Sequence, residues 1–291
     1  MRNIFKRYVK AGYALVSIAF LCVACAQEEQ ETSLLVGNKC PMTFAVEQSP
    51  FLLPQDDGMP QTRVVDRNDE ASVKSAWSDG DKIQVFVTSM TTDKASSTTC
   101  TLDANGKITH YAPILYWQAA GKHAIQAWYS NVKDACTTDA SDAVDISDQT
   151  KRLAYAMKAE PTTYVYHLKN QGAIPLVFHH QLAKVRVRLQ SSNAIDLLKT
   201  SVRVRNCFTS CTVDKGIVIP SGNANGMVKM MSPTTADGYF EANVIPDAEG
   251  MPRSVYAFEV TVNGSKPIIA AMDKPVSFEA GKAYQVSITV N

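Results

Sequence analysis

The sequence predicts an all-β protein, two tandem β-sandwich domains behind an N-terminal export signal. Three observations carry that expectation. Apolar and polar residues alternate with a period of two in segment after segment, the pattern of strands with one buried face. Asn-Gly pairs punctuate those segments as hairpin signals do. Apolar residues almost never recur at helical spacing.

Taken in order, KIQVFVTS (82–89), HAIQAWYS (123–130) and TYVYHL (163–168) are the strands expected in the first half. In AKVRVRL (183–189), Val185, Val187 and Leu189 share one face while Lys184, Arg186 and Arg188 share the other. SVRVR (201–205) and SVYAFEVTV (254–262) follow. AYQVSITV (283–290) closes the series, alternating Tyr284, Val286, Ile288 and Val290 with Gln285, Ser287 and Thr289. Asn105-Gly106 and Asn225-Gly226 read as tight hairpins, and Ser78-Asp79-Gly80 and Asn263-Gly264 as further turns. The polar stretch 137–152 reads as a short helix or an exposed loop. A division in NQGAIPL gives a first domain over 35–172 and a second over 173–291.

The N-terminus sets Arg2, Lys6, Arg7 and Lys10 before an apolar run over 11–25. That is the layout of an export signal, and the run is shorter than the roughly 20 residues that span a bilayer. Its end at Cys25 resembles a bacterial lipobox, with Cys22 where Leu is usual. The resemblance implies a signal peptide over 1–24, a diacylated Cys25 anchored in the outer membrane, and a hydrated tether over 25–34. Glu28, Glu29 and Glu31 resemble the acidic cluster that sends such lipoproteins to the cell surface.

Losing that leader removes four positive charges and no negative ones, taking the net charge from +1 to −3. A weakly acidic chain has no global attraction for nucleic acid. Cys40, Cys100, Cys136, Cys207 and Cys211 remain, an odd number with no regular framework. Two readings stay open for the last two: buried free thiols, or a Cys207–Cys211 bridge if CFTSC forms a turn.

Catalytic signatures are missing: there is no H-E-x-x-H, G-x-S-x-G, P-loop or G-x-G-x-x-G. Neither an enzymatic activity nor a cofactor is indicated. His179 and His180 are adjacent, so in a strand they face opposite ways and share no metal. Asp139, Asp142, Asp145 and Asp148 lack EF-hand spacing and read as a solvated acidic loop. Lys184, Arg186, Arg188, Arg203 and Arg205 would form a basic stripe if their strands pair, read first as a solvent face with acids nearby and second as a surface for anionic glycans. Tyr129, Tyr164 and Tyr166 read as a sugar platform or as packing.

Four segments in order resemble the fimbrillin family of Bacteroides-type surface lipoproteins. The first is Thr62-Arg63, then Trp77, Gly80-Asp81 and the strand holding Ile83, Val85 and Val87. ILYWQAAGKHAIQAWYS (114–130) follows, with Trp117 and Trp128. Next come Phe178, His180, Leu182, Ala183, Lys184 and Val185, and finally Gly281-Lys282 and Tyr284. The resemblance implies transthyretin-like Greek-key sandwiches and a structural, adhesive subunit of a cell-surface pilus. It implies proteolysis after Arg63, with Arg67 a second candidate, and loss of a strand within 34–49 whose apolar core is MTFAV. Other fimbrial subunits would then be partners through donor-strand exchange, with 283–291 the donor candidate. The alternative is a non-polymerising surface lipoprotein that binds a glycan or protein ligand on host or bacterial surfaces.

Overall fold

The computed structural model describes residues 40–54, 72–118, 121–132, 142–166, 172–247, 257–272 and 276–290. The described chain is all-β, broken only by a 3-10 turn at Leu197–Lys199. The first half runs through β1 (Phe44–Gln48), β2 (Phe51–Leu52), β3 (Ser72–Val73), β4 (Lys82–Ser89), β5 (Ala95–Leu102) and β6 (Ile108–Ala112). It continues with β7 (Lys122–Ser130), β8 (Val144–Asp145), β9 (Ala156–Ala159), β10 (Thr162–Val165) and β11 (Ile174–His180). The second half holds β12 (Ala183–Ser191), β13 (Ser201–Cys207), β14 (Ser210–Asp214), β15 (Ile217–Ser221) and β16 (Gly226–Lys229). It ends with β17 (Phe240–Val244), β18 (Ala257–Thr261), β19 (Ile268–Ala271) and β20 (Ala283–Val290).

One eight-stranded sheet dominates the first half, in the order β1-β11-β9-β7-β4-β5-β6 with β10 also on β7. Pro161 has no N–H to give a ladder, and it falls where β9 ends and β10 begins. The sheet curls until its margins meet. Met42 N–H donates to Leu115 O and Trp117 N–H to Cys40 O, so the chain before β1 bridges to the chain after β6. Inside lies a core of Ile83, Val85, Val87, Cys100, Leu102, Ile125, Ala127, Leu176 and Phe178, the inward members of the alternating segments.

In the second half two sheets face each other, β17-β12-β20 and β16-β13-β18-β19. Val185, Val187, Val204, Phe240, Phe258, Val260, Tyr284 and Ile288 interdigitate between them. β14, β15 and β8 form a third small sheet, which lies at the junction of the halves. Its β14–β15 hairpin turns on Lys215-Gly216, at φ 46° and 79°, a tight turn that the sequence reading did not single out. The described part of the acidic stretch, 142–152, holds no helix, and within it β8 pairs with β14.

One expectation is corrected. Asn225-Gly226 does not close a hairpin, because β15 and β16 belong to different sheets. Gly226 is needed there for close approach instead: a Cβ would sit 2.3 Å from Thr209 Cγ2 and 3.0 Å from Cys207 O. β11 is a strand of the first sheet, with Ile174, Leu176 and Phe178 in the first core, and the second core opens at Ala183.

Gly226→Ala is expected to destabilise the protein by about 1–3 kcal/mol through overpacking against Thr209. Thermal denaturation of the variant beside the wild type measures it.

Candidate functional site

Three groups of family-motif residues sit where the N-terminal strand meets the rest of the protein. β1 lies parallel to β11, pairing Phe44 with Ile174 through Gln48 with Phe178, and forms one margin of the sheet. Its alternation is simple: Met42, Phe44 and Val46 point into the first core while Thr43, Ala45 and Glu47 stay outside. Burying such side chains contributes about 1.5–3 kcal/mol each.

Trp77 closes the core beside β1. Its ring meets Tyr129 edge-on at 5.1 Å and Phe178 at 5.7 Å. The Asn105-Gly106 loop presses on the same indole, for a Cβ on Gly106 would lie 2.8 Å from Trp77 Cδ1 and 3.5 Å from Val46 O. Gly80, at φ 87°, and Asp81 shape the turn behind it. Asp81 Oδ2 accepts from Ser78 N–H at 2.8 Å and Asp81 Oδ1 from the Tyr129 hydroxyl at 2.8 Å. Burial, then the Asp81 charge, pushes the Tyr129 phenol upward.

Trp117 packs elsewhere, edge-on to His123 at 5.0 Å and near Tyr166 and Tyr164 at 5.3 and 6.3 Å. His123 is buried, and desolvation lowers its pKa. Tyr129 thus packs on Trp77, whereas Tyr164 and Tyr166 pack on Trp117, and the buried Tyr129 and Tyr166 serve the first core. Trp128 turns to the outer face of β7, where a Cβ on Gly216 would come within 2.8 Å of its Cβ. That contact seats the β14–β15 hairpin on the first sheet.

The seam between the halves gathers the remaining motif residues. Phe51 is fully buried and stacks on His180 at 3.7 Å and 12°. The Lys184 ammonium lies 5.1 Å from the Phe51 ring and 5.7 Å from that of Tyr155. Lys184 is itself buried, countered by Glu241 at 3.3 Å, which also holds Arg186 at 2.9 Å. Gly281, at φ 72°, turns the chain into β20, receives the Leu52 N–H and donates to Leu182 O. The Tyr284 hydroxyl accepts from Glu279 N–H and donates to Ser277 O, and burial pushes its pKa to about 12. A buried amide clamp completes the seam. Gln149 accepts from the backbone N–H of both Ala154 and Asn243, and the Asn243 side chain donates to Ala154 O. Sequence reading missed Phe51, Gln149 and Asn243; only the short apolar run Phe51-Leu52-Leu53 after Pro50 hinted at the first.

The basic stripe does not exist as one surface. β12 and β13 lie in different sheets, and acids answer both rows: Glu241 beside Lys184 and Arg186, Glu259 beside Arg203 and Arg205. A cleft of about 360 Å³ borders Arg203 and Lys229, whose charges meet Glu259 and Asp148. Among the described residues no group of His, Cys, Asp and Glu is placed to hold a metal ion. Cys207 and Cys211 are free thiols. The chain leaves β13 for another sheet, sending Cys207 into the second core and Cys211 into the junction core. Cys25, Arg63 and Arg67 lie outside the described residues.

A family model described as fimbrillin-like matches residues 62–291. This chain belongs to the fimbrillin-like family. Its fold resembles three solved structures, each described as a candidate cell adhesion protein. The one from Bacteroides ovatus has a TM-score of 0.62 at 15% identity, covering 87% of this chain and 92% of its own. The one from Bacteroides uniformis has a TM-score of 0.54 at 19% identity, covering 74% and 88%. The one from Bacteroides fragilis has 0.52 at 14%, covering 87% and 93%. At these identities the likeness establishes the fold. No curated protein sequence matches the chain. For this fimbrillin-like chain the motif residues thus resolve into a core anchor, a hairpin seat and a seam.

Burial pushes the Cys100 and Cys207 thiols to about 12 and Cys211 to about 11. At pH 8 about one in a thousand or fewer would be thiolate. Alkylation with iodoacetamide is therefore expected to spare all three in the native protein and label all three in denaturant without reductant. A Cys207–Cys211 disulfide would leave that pair unlabelled in both.

Proposed function

We propose that this protein is a structural and adhesive pilus subunit, exported as a lipoprotein on Cys25 and activated by proteolysis after Arg63. Arg67 is the second candidate position. One observation carries the reading: β1 lies at the margin of the first sheet, and its Phe44 and Val46, with Met42 just before it, pack into the first core. Removing it would open an extended apolar groove along β11, with unpaired backbone groups ready for another strand. The family match supports the same point, since it begins at residue 62, beside Arg63 and beyond both β1 and β2.

The incoming strand would come from another fimbrial subunit, and main-chain pairing with β11 would supply affinity while the alternate pockets set register. β20 is a poor donor in this chain. It pairs with β12 over eight positions, and Tyr284, Ile288 and Val290 are part of the second core. Giving it up would unmake that core, so the donor role in 283–291 is replaced by an accepting role in β11. The domain boundary that suits this mechanism lies at residues 181–182, which leaves β1 and β11 in one unit. The lipid would hold the precursor at the outer face of the outer membrane until the cut.

Mass spectrometry of the mature protein from its native cell surface tests the proposal. An N-terminus at Val64, or at Asn68 for the second position, together with oligomers, is the expected result. A diacylated Cys25 still joined to the whole chain in a stable monomer would instead identify a surface lipoprotein that binds a ligand.

A further inference from the structure

Beyond β1, residues 51–53 are fastened to the seam by the buried Phe51 ring and by the Leu52 N–H on Gly281 O, and what lies under that ring is unusual. His180 is 3% exposed, yet neither Nδ1 nor Nε2 makes a hydrogen bond. A buried imidazole without partners has no compensation for its lost hydration. The carboxylates of the elements around it already have cationic partners, and the remaining groups are cationic or uncharged. β12 contributes the Lys184 ammonium, whose counterion Glu241 on β17 is already shared with Arg186. The residues before β9 contribute the Tyr155 ring at 5.8 Å. On its own strand His179 points outward to Glu160 at 3.2 Å. In the turn before β20, Lys282 and Glu279 pair with each other at 2.7 Å. β2 and β3 bring Phe51, Leu52, Ser72 and Val73, none of which titrates.

We propose that the Phe51–His180 stack is a proton-operated latch, and that a proton on His180 frees residues 51–53 from the second half of the protein. The stack tolerates only the neutral ring, because a second cation would stand beside Lys184 with no acceptor of its own. Opening the stack hydrates the imidazole and removes that obstacle.

Burial first, then the charges of Lys184 and His179, depresses His180 from 6.5 to about 3 in the closed form. The open form regains the ordinary value and binds the proton that the closed form refuses. The closed latch is thus fully favoured above the ordinary value and loses ground as pH falls toward the depressed one. At pH 5 the open-to-closed ratio is about 30-fold higher than at pH 8. The latch stands on these contacts alone. If the N-terminal strand is also shed in assembly, as proposed above, mild acid would hasten its departure.

The Leu52 amide, which donates to Gly281 O in the closed form, reports the latch directly. Its hydrogen exchange is to be measured in the intact protein and in His180→Phe at pH 5 and pH 8. Taking the ratio of the two proteins at each pH cancels the intrinsic pH dependence of exchange. The ratio of wild type to variant is expected to rise about 30-fold on acidification; a ratio that stays within twofold overturns the latch. A ring titration of His180 by NMR in the wild type needs no variant. An ordinary midpoint near 6.5 in the folded protein would overturn it equally. Neither readout involves cleavage, so failure here is separable from failure of the assembly proposal.

Discussion

Parallel pairing of β1 with β11 is the constraint on which the rest of the first half depends. A curled sheet with two open margins would expose apolar side chains along one edge and unpaired backbone groups along both. β1 fills the gap by pairing with β11 while the chain just before it bridges to the chain after β6. The strand that completes the core comes from the start of the described chain, and its partner begins about 130 residues later. Such a contact forms only after the sheet between them exists, because long-range closure costs chain entropy before it gains any contact. A strand added in this way is also the one removable with least damage to local structure. The geometry that stabilises the monomer is therefore the geometry that the proposed strand exchange would exploit.

The two halves are coupled by chemistry unlike that of either core. Both cores are apolar, built from Val, Ile, Leu, Met and aromatic rings. The seam holds a lysine, a histidine and two side-chain amides, all buried. Gln149 and Asn243 satisfy most of each other's needs and those of the neighbouring backbone, so they fix one relative placement rather than adding much net stability. Lys184 is tolerated because Glu241 and two aromatic faces surround its ammonium. His180 has no such compensation, which makes it the group at the seam most sensitive to a change of charge.

Much of the architecture was legible from short stretches of sequence, and particular residues show why. Val185, Val187 and Leu189 point into the core as their alternation requires, and Trp77 anchors the turn at Gly80 and Asp81 as a large ring beside a turn should. Asn225-Gly226 misled because the Asn-Gly pair carries a turn signal, while its glycine serves the close approach of Thr209, which is distant in sequence. Phe51 gave only a faint signal because a run of three apolar residues between prolines is too short to show a period. Lys184 looked solvent-facing because its strand alternates charge with apolar residues, yet β2 and Tyr155 cover that end of the face.

By itself the sequence determined that the protein is all-β, which faces of most strands are apolar, and that it belongs with the fimbrillin-like chains. Those properties depend on residues a few positions apart, where side-chain alternation and turn geometry act. Only the tertiary structure decided which strands share a sheet, that β1 closes the first core, that β20 is locked into the second, and that a lysine and a histidine lie beneath Phe51. These outcomes depend on partners about a hundred residues or more apart, and no local pattern encodes them.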